Sequence, residues 1–231
     1  MTLAELPHID RIVLARINRV PAWHPEHASF APFPVHAWLV HHPDGPMLVD
    51  TGVGLGHPFI DDLYAPTVEP VRDALEALHV DPDALTAVVL SHLHFDHCGQ
   101  QASLRAPVHV QADELAAARE PSYTVPEWAR IDEAQVRIAH GDTVLVDGIR
   151  LVHTPGHTPG HQAVIVEGGG RRVVLGAQCA FTAAEMRAGE PADANLHDAT
   201  WRPAARESLA RVRAARPDAV HLSHDPQVVS W

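Results

Sequence analysis

The run Ser91-His92-Leu93-His94-Phe95-Asp96-His97-Cys98-Gly99 places four metal-capable side chains within six residues. His92 and His94 alternate, so an extended backbone projects both to one side. Asp96 and His97 then point elsewhere, towards a second ion. Imidazole and carboxylate ligate zinc and related divalent ions, and one short loop of this kind can seed two adjacent sites. Taken alone, such a run also fits a solvated, histidine-rich turn. Further histidines in matching contexts weigh against that reading.

The first of these is Thr154-Pro155-Gly156-His157-Thr158-Pro159-Gly160-His161. Its prolines and glycines fix a tight loop directly after a strand predicted to end at His153, which presents His157 at a strand end. The second is Leu222-Ser223-His224-Asp225, again at the end of a buried strand. His224 is the candidate ligand there. Asp225 is the candidate partner for its other ring nitrogen, since metal-bound imidazoles commonly donate that N–H to a carboxylate or carbonyl. Asp50, in Leu48-Val49-Asp50-Thr51-Gly52, follows a strand and is expected to support the metal loop by hydrogen bonding. The chain has no Gly-x-Ser-x-Gly elbow of the serine hydrolases. Cys98 reads as a small buried hydrophobe rather than a thiol nucleophile.

The elements that must position these loops alternate between strand and helix. Val35 to His42 and Pro46 to Asp50 read as strands around a Pro-Asp-Gly turn. An amphipathic helix is predicted over Glu69–Val80, with Val71, Ala74, Leu75 and Leu78 on one face. Thr86–Leu90 and Pro107–Gln111 read as short strands, the latter followed by a helix from Ala112 to about Arg119. Two hairpins are predicted: Thr143–Val146 with Ile149–His153 around Asp147-Gly148, and His161–Glu167 with Arg171–Gly176 around three glycines. A helix over Arg202–Ala215 and a strand over Ala219–Leu222 close the pattern. Two long loops remain, Gly52–Pro70 and Glu120–Asp132. No linker separates domains, so residues 1–231 read as a single domain of two sheets between helices.

Composition narrows the function. The 231 residues carry a net charge of −12, which argues against nucleic acid and against an anionic membrane surface. No apolar run approaches the roughly 18–20 residues that cross a bilayer. The N-terminal residues have no signal-peptide pattern, and two cysteines make no disulfide framework. A cytoplasmic protein acting on a small molecule is the expectation. Histidines number 19 against 17 Lys and Arg. Of these, His24, His27, His41, His42 and His57 are expected at exposed loop or strand-end positions.

In these motifs and their order, from about Val35 to His224, the chain resembles the metallo-β-lactamase superfamily. The resemblance implies an α/β fold, an αββα sandwich of two mixed β-sheets flanked by helices, with a metal centre at one edge between the sheets. It implies that His92, His94 and His157 hold a first metal and that Asp96, His97 and His224 hold a second. Nitrogen-rich ligation suits zinc, as one or two ions, with iron or manganese as alternatives.

Within the superfamily the chain is similar to the N-acyl homoserine lactonases, through the His92–Gly99 loop, the Pro-Asp-Gly hairpin before Asp50-Thr51-Gly52, and Ser223-His224-Asp225. That similarity implies hydrolysis of a lactone or ester carbonyl by metal-activated water, with Asp96 as the catalytic residue that holds a metal and orients the water or accepts its proton. Two departures stand out. Gln178 occupies the position of the family's metal-bridging aspartate, and Phe181 that of a substrate-touching tyrosine. Tyr64, Tyr123 and Trp128 in the long loops, with His36 and Phe181, are the candidate pocket residues. The alternatives are a glyoxalase-type thioesterase, which adds a C-terminal region where seven residues follow His224 here, another hydrolase of the same fold, or a non-catalytic metal-binding protein.

Overall fold

The strand beginning at Phe33 sets the plan of the molecule, because alternate side chains serve two different cores. In a computed structural model describing residues 3–21 and 31–231, Trp38 and Val40 point to one face of this strand and Ala37 and Leu39 to the other, and all four are buried. A strand covered on both faces reads as a nearly continuous apolar run, and Phe33–His42 does. His24 and His27 lie outside the described residues.

Along the chain the strands are β1 (His8–Ile17), β2 (Phe33–His42), β3 (Gly45–Val49), β4 (Thr67–Val68), β5 (Ala87–Val89), β6 (Val108–Gln111), β7 (Val136–Ala139), β8 (Thr143–Val146), β9 (Ile149–His153), β10 (Gln162–Gly168), β11 (Arg171–Ala177) and β12 (Ala219–Leu222). The α-helices are α1 (Pro58–Tyr64), α2 (Val71–Ala77), α3 (Ala112–Ala117), α4 (Pro126–Ala129), α5 (Ala183–Ala188) and α6 (Arg202–Ala214). A 7-stranded sheet runs β4-β1-β2-β3-β5-β6-β7 and a 5-stranded sheet runs β12-β11-β10-β9-β8. Both mix parallel and antiparallel pairs.

The core between the sheets joins Trp38, Val40, Met47 and Val89 of one to Leu151, Val164, Val166 and Leu175 of the other. Outside the larger sheet, Val71, Ala74 and Leu75 of α2 cover Leu39, Leu48 and Val88. Outside the smaller one, Met186 of α5 with Leu209 and Val212 of α6 cover Ile165, Val174 and Val220. This is the αββα sandwich that the motifs imply. Among the described residues no helix is long and apolar enough to cross a membrane.

Several boundaries differ from the expectation. The helix predicted over Glu69–Val80 is confined to Val71–Ala77. The two long loops contain structure of their own, α1 and β4 in the first and α4 in the second. The hairpin between β10 and β11 turns on Gly169 and Gly170 alone, at φ +58° and +75°, with Gly168 paired to Arg171. Paired left-handed residues match the strand twist, hence the glycines. β1 is the principal element without a prediction. Its register shifts between Val13 and Ala15, and such a bulge breaks the alternation by which a strand is recognised.

Candidate metal centre

The loop after β5 is held in place before any metal is considered. Asp50, at φ 63°, turns the chain at the end of β3, and its N–H donates to Val89 O at 2.9 Å. Thr51 N donates to His97 O at 2.7 Å and Gly99 N to Gly52 O at 2.9 Å. A Cβ on Gly99 would lie 2.0 Å from Gly54 N, so only glycine permits this approach. His97 N and Cys98 N both reach His94 O, which closes the loop into a turn.

The loops bring two groups of side chains together. His92 Nε2 lies 3.1 Å from His94 Nδ1, and His157 Nε2 lies 3.0 Å from the same atom. Asp96 Oδ2 lies 3.6 Å from Nε2 of His97 and of His224. Gln178 Oε1 completes the second group, 3.1 Å from His97 Nε2 and 3.0 Å from His224 Nε2. The ligand atoms of each trio fall within 4.8 Å of one another. His92, His97 and His224 are buried, as are His157 and Asp96.

Asp50 organises both groups. Its Oδ2 accepts from His97 Nδ1 at 2.9 Å and from Ser91 Oγ at 2.8 Å, while Oδ1 accepts from Ser91 N at 2.7 Å. Ser91 has one hydroxyl proton, and Asp50 takes it. Ser91 Oγ therefore accepts from His92 Nδ1 at 3.0 Å, which leaves the His92 Nε2 lone pair facing the centre. His157 Nδ1 donates to Asn195 O at 3.2 Å and His224 Nδ1 to Pro34 O at 3.0 Å, with the same consequence.

This arrangement fits a cation. Burial, reinforced by neighbouring histidines, holds His92 and His157 well below the ordinary histidine range. Burial also lowers His224 to about 3. These rings are neutral, the form that ligates metals. Gln178 donates from Nε2 to Asn195 Oδ1 at 3.2 Å, so its oxygen faces the bare nitrogen of His224. Two acceptors in contact need a positive charge between them. His97 differs: burial lowers it, but Asp96, Asp50 and the bond to Gln178 outweigh burial and raise it. The same anionic field would draw a metal ion.

The remaining predicted residues divide. Tyr64, Tyr123 and Phe181 line a cavity of about 780 Å³ whose floor includes His94, Asp96, His157 and His224. Phe181 stacks on His224 with ring centroids 4.9 Å apart. Trp128 does not line this cavity. It packs over Gly54 and edge-on to His57. His36 is buried with Nδ1 3.3 Å from Leu222 O and also stands away from the cavity. Asp225 turns from His224: its Oδ2 accepts from Ala183 N at 2.7 Å and its Oδ1 from Gln227 N at 2.8 Å, because the free N–H groups at the start of α5 offer a better partner. His42 is buried rather than exposed and bonds Asp147 O at 2.8 Å. His57 is half-buried and accepts from Ile60 N at the start of α1. Cys98 is fully buried, and burial, with Asp96, pushes its thiol up, as suits a small hydrophobe.

Glu114 and His161 were not evident in the sequence. Glu114, fully buried in α3, accepts from Leu93 N at 2.8 Å, Thr158 Oγ1 at 2.7 Å, Gly160 N at 3.1 Å and the Tyr123 hydroxyl. It ties the His92–His94 loop to the His157 loop. Burial pushes its carboxyl up, and these four bonds oppose the push. His161 accepts from Gln178 N at 3.2 Å and so fixes where that side chain begins. His161 does stand inside the Pro-Gly-His motif, whereas nothing local marks Glu114.

Comparison with known proteins agrees with this geometry. The sequence matches the metallo-beta-lactamase superfamily over residues 30–224. An N-acyl homoserine lactonase of a Bacillus species is 34% identical over 147 residues, 58% of this chain and 58% of that protein. The N-acyl homoserine lactonase AttM of Agrobacterium fabrum is 31% identical over 160 residues, 58% of this chain and 59% of that protein. The matches thus span less than two thirds of either relative. A crystal structure of a B. thuringiensis AiiA variant with N-decanoyl-L-homoserine bound at its active site has the same fold, with a TM-score of 0.77 over 98% of this chain and 95% of that one at 23% identity. The chain belongs to the metallo-β-lactamase superfamily, with N-acyl homoserine lactonases among its similar relatives.

Proposed function

We propose that this chain is a metal-dependent hydrolase that opens the ring of N-acyl homoserine lactones or closely similar esters. The observation that carries the proposal is the meeting of two ligand trios at the floor of one cavity. The names of the relatives at 34% and 31% identity support the substrate class. Because the centre draws ligands from both sheets, we read the two sheets as one hydrolase domain. Both cysteines are buried and unpaired, which supports a reducing compartment such as the cytoplasm.

His92, His94 and His157 would hold a first zinc ion, and Asp96, His97 and His224 a second. Bound zinc supplies a water whose pKa falls to roughly 7 and polarises a carbonyl. Asp96 is the one carboxylate in the two trios and borders the cavity, so it orients the attacking water and takes its proton. Phe33, Ile60, Val125 and Phe181 give the cavity an apolar wall for an acyl chain. Burial and the charge of Asp96 raise Tyr64 to about 12. It therefore remains a neutral phenol, a donor for a substrate carbonyl or amide. Tyr123 has already committed its hydroxyl to Glu114.

The test is a substrate panel on zinc-loaded protein. Acyl homoserine lactones should turn over faster than thioesters or β-lactams, and chelation should abolish the activity. His92→Ala and His157→Ala should each remove most of it. Thioester cleavage far faster than that of any lactone or ester would overturn the lactonase reading.

A further inference from the structure

A second concentration of metal-binding side chains lies at the opposite end of the larger sheet. His8 of β1 is paired directly with His41 of β2, and Asp10 is paired with Leu39. Residues i and i+2 share a face of a strand, so His8, Asp10 and His41 project together. They leave on the face of Leu39, outside the sandwich. His8 Nε2 lies 3.0 Å from Asp10 Oδ1 and His41 Nε2 lies 2.8 Å from Asp10 Oδ2. The two imidazole centroids are 5.3 Å apart, and one ligand atom from each of the three residues falls within 4.8 Å of the others. Phe33, whose ring touches His224 at 5.1 Å, begins the same strand. Eight residues at roughly 3.3 Å each separate it from His41, so the cluster stands about 26 Å from the centre described above.

We propose that His8, Asp10 and His41 form a separate surface site for a divalent transition ion of the zinc class. Two imidazoles and one carboxylate are a nitrogen-oxygen set suited to zinc, which accepts three protein ligands with the remaining position open to water. The paired backbones of β1 and β2 fix the register of all three residues, so little ordering is needed on binding. The side chains of Asp10 and His41 are 29% and 35% exposed and that of His8 is 72% exposed, which leaves an open approach from solvent. In metal-free protein the same atoms form a chain of hydrogen bonds in which both Nε2–H groups donate to Asp10. An ion held at these rings needs the Nε2 lone pairs, so the proton that each Nε2 donates to Asp10 must leave that nitrogen on binding.

The test compares the intact protein with His8→Ala/His41→Ala. Zinc is titrated into each to saturation and counted, and histidine ring signals are followed by NMR. At saturation the natural protein should hold one more zinc per chain than the double variant. The extra ion should shift the signals of His8 and His41. His41→Ala alone should weaken that ion by more than the roughly 10–100-fold that loss of an outer-sphere partner costs. Hydrolytic activity of the zinc-loaded proteins should be the same in all three. Equal zinc content at saturation, or unmoved His8 and His41 signals, would overturn the proposal and leave the cluster as a hydrogen-bonded chain only. Because the readout is a difference between variants, it does not depend on what the buried centre binds or hydrolyses.

Discussion

Gln178 Oε1 lies 3.0 Å from Nε2 of His224. The same oxygen is 3.1 Å from His97 Nε2, so the side chain is directed into the second trio. The neighbouring Glu185 and Cys179 are engaged elsewhere. Glu185 accepts from Phe181 N, Thr182 Oγ1 and Ala192 N. Cys179 packs among Ile165, Val174 and Met186. If two dications occupy the two trios, a neutral amide at this place would supply no charge between them, whereas an aspartate would supply one.

Metal binding should therefore occur in two separable steps in the natural protein. The first ion goes to His92, His94 and His157, and the second binds more weakly. Gln178→Asp should tighten the second step and leave the first nearly unchanged. Titration of metal into chelator-stripped protein measures both. Two equally tight ions, indifferent to the substitution, would place the natural charge balance elsewhere.

Glu114→Gln should lower stability by about 3 kcal/mol or more. The carboxylate receives four donors, and an amide nitrogen at one end would oppose donor to donor. Hydrogen bonds to a buried charge contribute about 1.5–3 kcal/mol each. Urea unfolding of the metal-free variant is the check, and an unchanged midpoint would mean the four bonds are not formed in solution.

His36 should make the metal-free protein acid-sensitive. Burial, chiefly, lowers it from 6.5 to about 4 in the folded state. Between those values the unfolded chain binds a proton that the native protein does not, so stability is present above pH 6.5 and is lost as pH falls towards 4. The loss from near pH 7 to about pH 5 should be about 2 kcal/mol from this residue. Denaturant unfolding of natural protein and His36→Gln at both pH values should give a shallower pH dependence for the variant. Identical slopes would contradict the shift.

The centre was legible because its ligands sit in short loops at strand ends, where spacing is local information. The His92–His97 run, the Thr-Pro-Gly-His loop and Ser223-His224 carry their geometry within a few residues, and the structure brings them together. Glu114 was not legible, since its role arises from the approach of three separate segments and its own neighbours are ordinary for the start of a helix. Asp225 was misread for a related reason: proximity in sequence suggested His224, while the fold offered the N–H of Ala183. The αββα plan followed from alternating elements and motif order. β1 escaped because the bulge between Val13 and Ala15 shifts its apolar phase.

Ring opening of an N-acyl homoserine lactone by this protein, followed by proton release alongside a count of bound metal, tests the central claim most directly. Zinc-replete protein should open the lactone, the rate should fall to background as chelation empties the His92–His94–His157 site, and it should return when zinc is restored. Full zinc occupancy with no hydrolysis of any lactone or ester tested, or undiminished hydrolysis after the metal is removed, would contradict the account.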